Sequence, residues 1–258
     1  MSRTTAPALR RGLDILELFV DNSEGLRVPD ITQMLDLPRA SAHELVATLV
    51  DRGYLEPVPE APNRFVLGVR AFRLGAAYER DLDLASVGRE SARKVASACG
   101  ETVQIVIRDG SFAVFIVRID STHSFRLVSH VGSRLPAYCT AGGKVLLASV
   151  SDGELGSLFP SDDELAPMTP DSIDNRQRLF AELTTARERG WAEENKESNV
   201  DVACVAAPVR DRSGTCVAAM SISVPIMRWS DEGKDNYVRL VLDGANEMSS
   251  KLGWLPSR

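Results

Sequence analysis

The sequence predicts an α+β fold in three parts: a small helical module with a hairpin at residues 1–68, a helical linker at 69–99 and an antiparallel α/β domain at 100–258. Two observations carry this prediction. Before Gly53, apolar residues recur at helical spacing in three short segments, and two strand-like segments follow. Beyond Gly100, apolar residues instead alternate with a period of two, which is typical of strands.

Composition excludes several classes of protein. The 258 residues are 44% hydrophobic and contain no low-complexity tract, so most of the chain is expected to fold. No apolar run approaches the roughly 18 residues of a membrane span, and the first residues lack a signal-peptide core. The four cysteines show no C-x-x-C spacing, which predicts a reduced cytoplasmic protein with no metal, no cofactor and no membrane partner.

The first two helices are predicted from the spacing of large apolar residues. In the first, one face carries Leu9, Leu13, Leu16 and Val20, with Phe19 beside them. The second begins at Pro29, a residue suited to the first turn, because its missing N–H needs no partner there. Its predicted buried residues are Ile31, Met34 and Leu35.

The third helix and the segments after it predict a winged helix-turn-helix. This helix directs Ala42, Leu45, Val46 and Leu49 inward. Two strands, residues 54–58 and 64–67, then flank a turn rich in Pro and Asn. In such modules the helix after the turn enters the major groove of DNA. A plain helical bundle, or a winged module that binds only protein, remains open on this pattern.

The charge of the module limits how it could hold DNA. Residues 1–80 contain ten arginines, no lysine and eleven acidic residues, and the whole chain has a net charge of −6. A broad basic surface is therefore excluded, whereas a few placed arginines are allowed. We expect base or phosphate contacts from one set of residues in the first helix, the third helix and the wing: Arg10, Arg11, Arg39, Ala40, Ser41, His43, Glu44 and Arg64.

The remaining elements are predicted in chain order. The linker is expected to break near residues 81–83. Strands follow at 103–107, 112–119 and 125–128, with a hairpin turn at Asp109-Gly110. A helix capped by Thr140 spans the segment to residue 147, and a second helix spans 173–189. Two more strands, 203–209 and 216–224, precede a closing helix at 231–252.

Two features of the second domain predict a ligand pocket. Gly142 and Gly143 lie at a helix start, where unpaired N–H groups attract anions and where missing side chains leave room for a ligand. Ser221 and Ser223 point to one face of a strand, about 6.6 Å apart. The alternatives are that the glycines only permit close packing and that each serine bonds to backbone.

In eight segments the chain resembles the IclR-type family of bacterial transcription regulators. These segments are RGLDILELF at 11–19, LPRAS at 37–41, GYL at 53–55, FVLG at 65–68, TAGGKVLLA at 140–148, GWAEE at 190–194, CVAAPV at 204–209 and AMSISV at 219–224. The resemblance implies a winged helix, a linker helix, a GAF-like ligand-sensing domain and assembly into homodimers or homotetramers. It also implies effector contacts at Ala141, Gly142, Glu194, Cys204, Ser221 and Ser223.

One position departs from the family pattern. Glu44 stands where relatives commonly have a basic residue. A carboxylate disfavours nearby phosphates, although it can accept a hydrogen bond from a cytosine amino group. The operator sequence therefore cannot be transferred from relatives.

Together these features predict a regulator, most simply a repressor of a catabolic operon, that binds a pseudo-palindromic operator as a dimer. A small organic acid is expected to be held by the N–H groups of Ala141 to Gly143 and by the two serines. Val202 and Met220 are expected to limit its size.

An enzyme is the alternative from another class. Cys204 or Ser221 could act as a nucleophile with His123 or His130 as base. However, the chain has no G-x-S-x-G elbow, and no carboxylate is placed to orient either ring. We therefore expect no catalytic activity.

Overall fold

A computed structural model describes residues 6–81, 83–123 and 130–255, although not the side chains of 77–81 and 83. The chain forms two compact units, Met1–Leu82 and Asp83–Arg258. The predicted strand at 125–128 and the linker break at Leu82 lie outside the described residues.

The first unit is a three-helix module with a wing. Its helices are α1 Pro7–Leu18, α2 Val28–Met34 and α3 Arg39–Asp51. Strands β2 Leu55–Val58 and β3 Ala61–Leu67 form the predicted hairpin, and a short β1, Leu26–Arg27, pairs with β3. The helices and the wing share a core that includes Ile15, Ile31, Ala42, Val46 and Leu55. The predicted winged helix-turn-helix is therefore confirmed.

The prediction of the apolar face of α1 was only partly right. Phe19 is buried and Leu16 packs against the core, whereas Leu9 and Leu13 are 64% and 52% exposed and Ile15, which was not predicted, is buried. A module this small covers only one apolar stripe of α1, and the stripe it covers includes Ile15 and Phe19. Met34 is also exposed rather than buried, since it is the last residue of α2.

The linker contributes a helix to each unit. Helix α4 spans Val69–Asp81 and α5 spans Asp83–Cys99. Helix α5 packs through Ala92 and Val95 against one face of the sheet in the second unit. It is therefore part of the folded core of that unit.

The second unit is built on a six-stranded antiparallel sheet. Its strands are β4 Thr102–Asp109, β5 Phe112–Ile119, β6 Arg134–Pro136, β7 Ala192–Asn195, β8 Val202–Arg210 and β9 Cys216–Pro225, in the order β6-β5-β4-β9-β8-β7. Gly110 makes the predicted turn between β4 and β5 with a positive φ of 59°. Strands β6 and β7 were not predicted, because each is only three or four residues long.

Helices cover both faces of this sheet. One face packs against α6 Ala141–Ala148, α7 Asp152–Leu158 and α8 Arg176–Arg189, and the other against α5 and α9 Asp231–Lys251. Helix α7 was not predicted, and α8 begins three residues later than expected, after its Asn175 cap. The α+β architecture is confirmed, and alternate residues of β8 and β9 enter opposite cores.

Candidate functional site

A cavity of about 300 Å³ lies between the start of α6 and the adjoining face of the sheet. Seven of the nine residues predicted to contact a ligand line it: Ala141, Gly142, Glu194, Val202, Cys204, Ser221 and Ser223. The structure thus brings together residues that are up to 82 positions apart in the chain. Their role in binding a ligand stays a prediction.

The start of α6 presents two open donors to the cavity. Thr140 caps the helix as predicted, because its Oγ1 accepts a hydrogen bond of 3.0 Å from the N–H of Gly143. Lys144 donates its N–H to the Thr140 carbonyl. The N–H groups of Ala141 and Gly142 make no hydrogen bond within the described residues. They are therefore available to an anionic ligand.

Gly143 and Met220 do not line the cavity, and both predictions for them were wrong. A Cβ on Gly143 would lie 2.3 Å from the Ala137 carbonyl oxygen, so this glycine permits close packing, and its N–H serves the cap. Met220 faces the opposite core, where its sulfur packs against Gly244 of α9. Successive residues of a strand point to opposite faces, so Met220 cannot share the cavity with Ser221.

A row of polar side chains crosses the cavity wall on adjacent strands. Cys204 is paired in register with Glu194 on one side and Ser223 on the other. Its Sγ lies 3.3 Å from Glu194 Oε1 and 3.1 Å from Ser223 Oγ, so the single thiol hydrogen serves one acceptor at a time. Ser223 in turn donates to Gln104 Oε1 at 3.0 Å. Gln104 was not predicted, because it lies 119 residues from Ser223.

Glu194 is the acidic group of this wall and is only 1% exposed. Its Oε2 accepts hydrogen bonds from the N–H groups of Glu197 and Ser198, and its Oε1 accepts one from the Ser198 hydroxyl. Burial nevertheless raises the pKa of Glu194 to about 7, and the bonds from Ser198 oppose that rise. Both protonation states are therefore populated at neutral pH.

Ser221 is the open hydroxyl of the cavity. The residue is only 3% exposed, and its hydroxyl has no hydrogen-bond partner in the part of the chain that the structure describes. Because Ser221 lines the cavity, a ligand or water there can form a hydrogen bond with its hydroxyl. Ser221 thus differs from Ser223, whose hydroxyl is already bonded to Gln104.

A buried ion pair holds the segment that closes the cavity. Lys144 is 1% exposed, and its Nζ donates to Glu197 Oε1 at 2.7 Å and to the Glu193 carbonyl at 3.0 Å. Thr169 and Ser172 donate to the backbone carbonyls of residues 196 and 197. Neighbouring Ser198 and Asn199 line the cavity. This function of Lys144 was not predicted, although a lysine directly after two glycines was a visible signal in the sequence.

The residues predicted to contact DNA lie on the surface of the first unit. Arg39, Ala40, His43 and Glu44 are exposed on the first two turns of α3, and Ser41 is half-buried. Arg10 and Arg11 are exposed on α1, with Arg10 3.9 Å from Asp14. Arg64 differs from the others, because its Nη1 donates to the carbonyls of Glu24 and Gly25. Its guanidinium therefore braces the wing and is only partly available to phosphate.

The candidate nucleophile Cys204 and the candidate base His123 have different neighbours in the structure. The hydrogen-bond neighbours of Cys204 are Glu194 and Ser223, and burial raises the pKa of its thiol well above 9. His123 Nε2 instead lies 3.8 Å from Glu101 Oε1. Over residues 6–81, 83–123 and 130–255, no three His, Cys, Asp or Glu residues form a group that could hold a metal ion.

None of the helices in the described ranges combines the length and the apolar character needed to cross a bilayer.

Curated relatives and solved structures resemble the chain along almost its whole length. The transcriptional repressor AllR of Escherichia coli K12 is 32% identical over 248 residues, which cover 96% of this chain and 91% of AllR. The Thermotoga maritima IclR crystal structure has 29% identity and a TM-score of 0.73, covering 95% of this chain and 98% of that one. An IclR homologue from Microbacterium hydrocarbonoxydans, crystallised with 4-hydroxybenzoate, shares the fold at 22% identity and a TM-score of 0.81, with coverage of 95% and 99%.

Family models match both units. The IclR helix-turn-helix domain matches residues 8–59, which span helices α1 to α3 except for Pro7. The model described as the C-terminal part of the bacterial transcriptional regulator IclR matches residues 76–250, which contain the sheet, the cavity and the polar wall. The chain therefore belongs to the IclR family of bacterial transcriptional regulators.

Proposed function

We propose that this chain is an operator-binding repressor whose affinity for DNA is controlled by a small organic acid. The observation that carries the proposal is the cavity, which is lined by Ala141 and Gly142, with two open N–H groups, and by Ser221, whose hydroxyl has no protein partner in the described structure. The AllR relative is named a repressor, which supports repression, and not activation, by this chain. Such a protein acts on DNA in the cytoplasm and needs no catalytic activity.

An organic acid fits the chemistry of the cavity. The first N–H groups of a helix favour anions through their free hydrogens and through the helix dipole. Phe115, Leu135 and Val202 provide apolar wall opposite these donors, which suits the uncharged body of a small acid. The ligand would change DNA binding through its different affinities for two arrangements of the protein.

DNA binding is assigned to α3. Arg39, Ala40, Ser41, His43 and Glu44 begin the helix that follows the turn, which is the helix that such modules place in the major groove. Arg10, Arg11 and Arg64 would contact phosphate or the minor groove. One module offers few contacts, so two copies would bind half-sites about one helical turn apart.

Selection from random DNA, followed by binding titrations, tests this assignment. Arg39→Ala should weaken binding to the selected site by about 1–3 kcal/mol if Arg39 contacts a guanine edge. The matched control is Arg52→Ala, which removes an exposed arginine just beyond the other end of α3. Equal losses on selected and random DNA would make Arg39 a phosphate contact.

Two outcomes would contradict the proposal itself. Full affinity of the Arg39→Ala protein for its selected site would show that the first turn of α3 does not read DNA. Failure to enrich any DNA sequence would instead favour a winged module that binds only protein.

A further inference from the structure

The described lining of the cavity combines unpaired N–H groups with an acidic residue. Ala141 and Gly142, whose N–H groups make no hydrogen bond within the described residues, line a space that Glu194 also lines. No lysine or arginine lines the cavity within the described residues, and His130 at its rim is exposed. An anionic ligand would therefore share a poorly solvated space with the carboxylate of Glu194.

The surroundings of Glu194 allow either protonation state. As a carboxylate, it accepts the three hydrogen bonds from Glu197 and Ser198 described above. As a carboxylic acid, it needs one acceptor, and the Ser198 hydroxyl can rotate to provide it. A ligand oxygen in the cavity could also accept that hydrogen.

We propose that the cavity binds an anionic ligand together with one proton, which Glu194 takes from solvent. This inference rests on the proposed function and adds to it the regulation of effector binding by pH. The charge balance is simple: one ligand anion and one proton enter, and the net charge of the occupied cavity stays that of the empty one. The ligand class that fits is a monocarboxylic acid with an uncharged body, since a second carboxylate would need a second proton.

Two thiols close to Glu194 do not supply this proton. Cys204 on β8 and Cys139, just before α6, stay neutral thiols near pH 7, because burial raises the pKa of Cys139 to about 11 and that of Cys204 well above 9. Glu197 on the adjoining segment is paired with Lys144 of α6, yet burial raises the pKa of its carboxyl above the usual value, so loss of the pH dependence in Glu194→Gln is what assigns the proton to Glu194. His130 remains as a competing source of pH dependence, because an imidazolium would also favour an anion.

The sign of the expected effect follows from linkage. A negative ligand raises the pKa of Glu194 above its ligand-free value of about 7, so complex formation takes up a proton at higher pH. Below pH 6, Glu194 is already protonated and binding is independent of pH. Between pH 6 and pH 8 the dissociation constant should rise about tenfold.

Calorimetric titration with benzoate and 4-hydroxybenzoate, at pH 6, 7 and 8, tests the proposal. At pH 8, titrations in phosphate and in Tris give the number of protons taken up, expected to approach one. Glu194→Gln should remove the pH dependence and bind about ten times more tightly than the unmodified protein at pH 8. The control Glu193→Gln changes an adjacent carboxylate that is paired with Lys234 outside the cavity, and should keep the pH dependence.

Each outcome decides between the inference and the function on which it rests. Binding with no proton uptake at pH 8 overturns the inference and leaves the proposed function standing. A pH dependence lost in His130→Gln but kept in Glu194→Gln overturns it as well. Failure of these two acids, and of pyruvate and butyrate, to bind at any pH would overturn the organic-acid effector and the inference with it. The proton count on the unmodified protein stays decisive even if Glu194→Gln fails to fold.

Discussion

Two serines on the same face of β9 have different roles in this structure. Ser223 belongs to a hydrogen-bonded row, since it donates to Gln104 and lies next to the Cys204 thiol. Ser221 lies two residues earlier and is buried beside the cavity without such a bond in the described structure. A ligand therefore gains more from Ser221, whereas the fold depends more on Ser223.

Alanine substitutions should separate these roles. Ser221→Ala is expected to weaken binding of 4-hydroxybenzoate by about 0.5–1.5 kcal/mol, with little change in unfolding, because it removes only a ligand contact. Ser223→Ala should lower both affinity and stability by about 1 kcal/mol, because a buried protein hydrogen bond is lost as well. Calorimetry and urea unfolding measure the two effects, with exposed Ser250→Ala on α9 as control.

Operator binding by a double serine variant, measured with and without effector, gives the results that would contradict these roles. The double variant with alanine at 221 and 223 should bind its operator normally while responding less to effector. An unchanged response would remove this cavity from the mechanism, and loss of DNA binding would show that the serines are structural.

At the scale of elements, neighbouring residues at the start of α6 have different structural roles. Thr140 caps the helix, and Gly143 lies so close to Ala137 that no side chain fits. Gly142 instead lines the cavity, where an added Cβ would lie 3.1 Å from a Val106 methyl. One short segment thus docks the helix and leaves two N–H groups open to the cavity.

A glycine-to-alanine comparison tests this account of α6. Gly143→Ala should lower the free energy of unfolding by about 1–3 kcal/mol, because backbone atoms of Ala137 must move. Gly156→Ala in α7, where an added Cβ meets nothing within 4 Å, should instead stabilise the protein by up to about 1 kcal/mol. The urea concentration at the unfolding midpoint measures both changes, provided that the dependence of the unfolding free energy on urea stays the same. A Gly143→Ala protein with unchanged stability would contradict tight packing against Ala137.

At the scale of the whole molecule, the first unit leaves large apolar side chains exposed. Leu9 and Leu13 on α1, and Val69, Phe72 and Leu74 on α4, are each more than half exposed. The spacing of α1 placed Leu9 and Leu13 on an apolar face, and the described part of one chain leaves both exposed. A second copy of the chain would account for this pattern and would also supply the second half-site contact.

Light scattering checks this prediction of assembly. The unmodified protein should have at least twice the mass of one chain at micromolar concentration. Replacing both Leu9 and Leu13 with Glu should reduce the mass toward that of a monomer and weaken binding to two-half-site DNA, because charged side chains resist burial. Met227→Glu, at a residue 76% exposed in the second unit, serves as control. A monomer with and without DNA would contradict the dimer.

Local patterns were enough to predict much of the fold. The helical spacing of Ala42, Leu45, Val46 and Leu49 predicted the buried face of α3, and two-residue alternation predicted β8 and β9. Thr140 and Gly190 marked a helix start and a helix end correctly. These features depend on backbone geometry within a few residues, which is information that a short stretch of sequence contains.

The remaining features depended on which distant residues meet. Gln104 is bonded to Ser223, Lys144 to Glu197, and Gly143 packs against Ala137 because the chain folds back on itself. Burial among these neighbours gives Glu194 its pKa of about 7, and the size of the first unit determines which stripe of α1 is covered. Desolvation and packing act through space, so spacing along the chain could propose the members of the site but could not predict their partners.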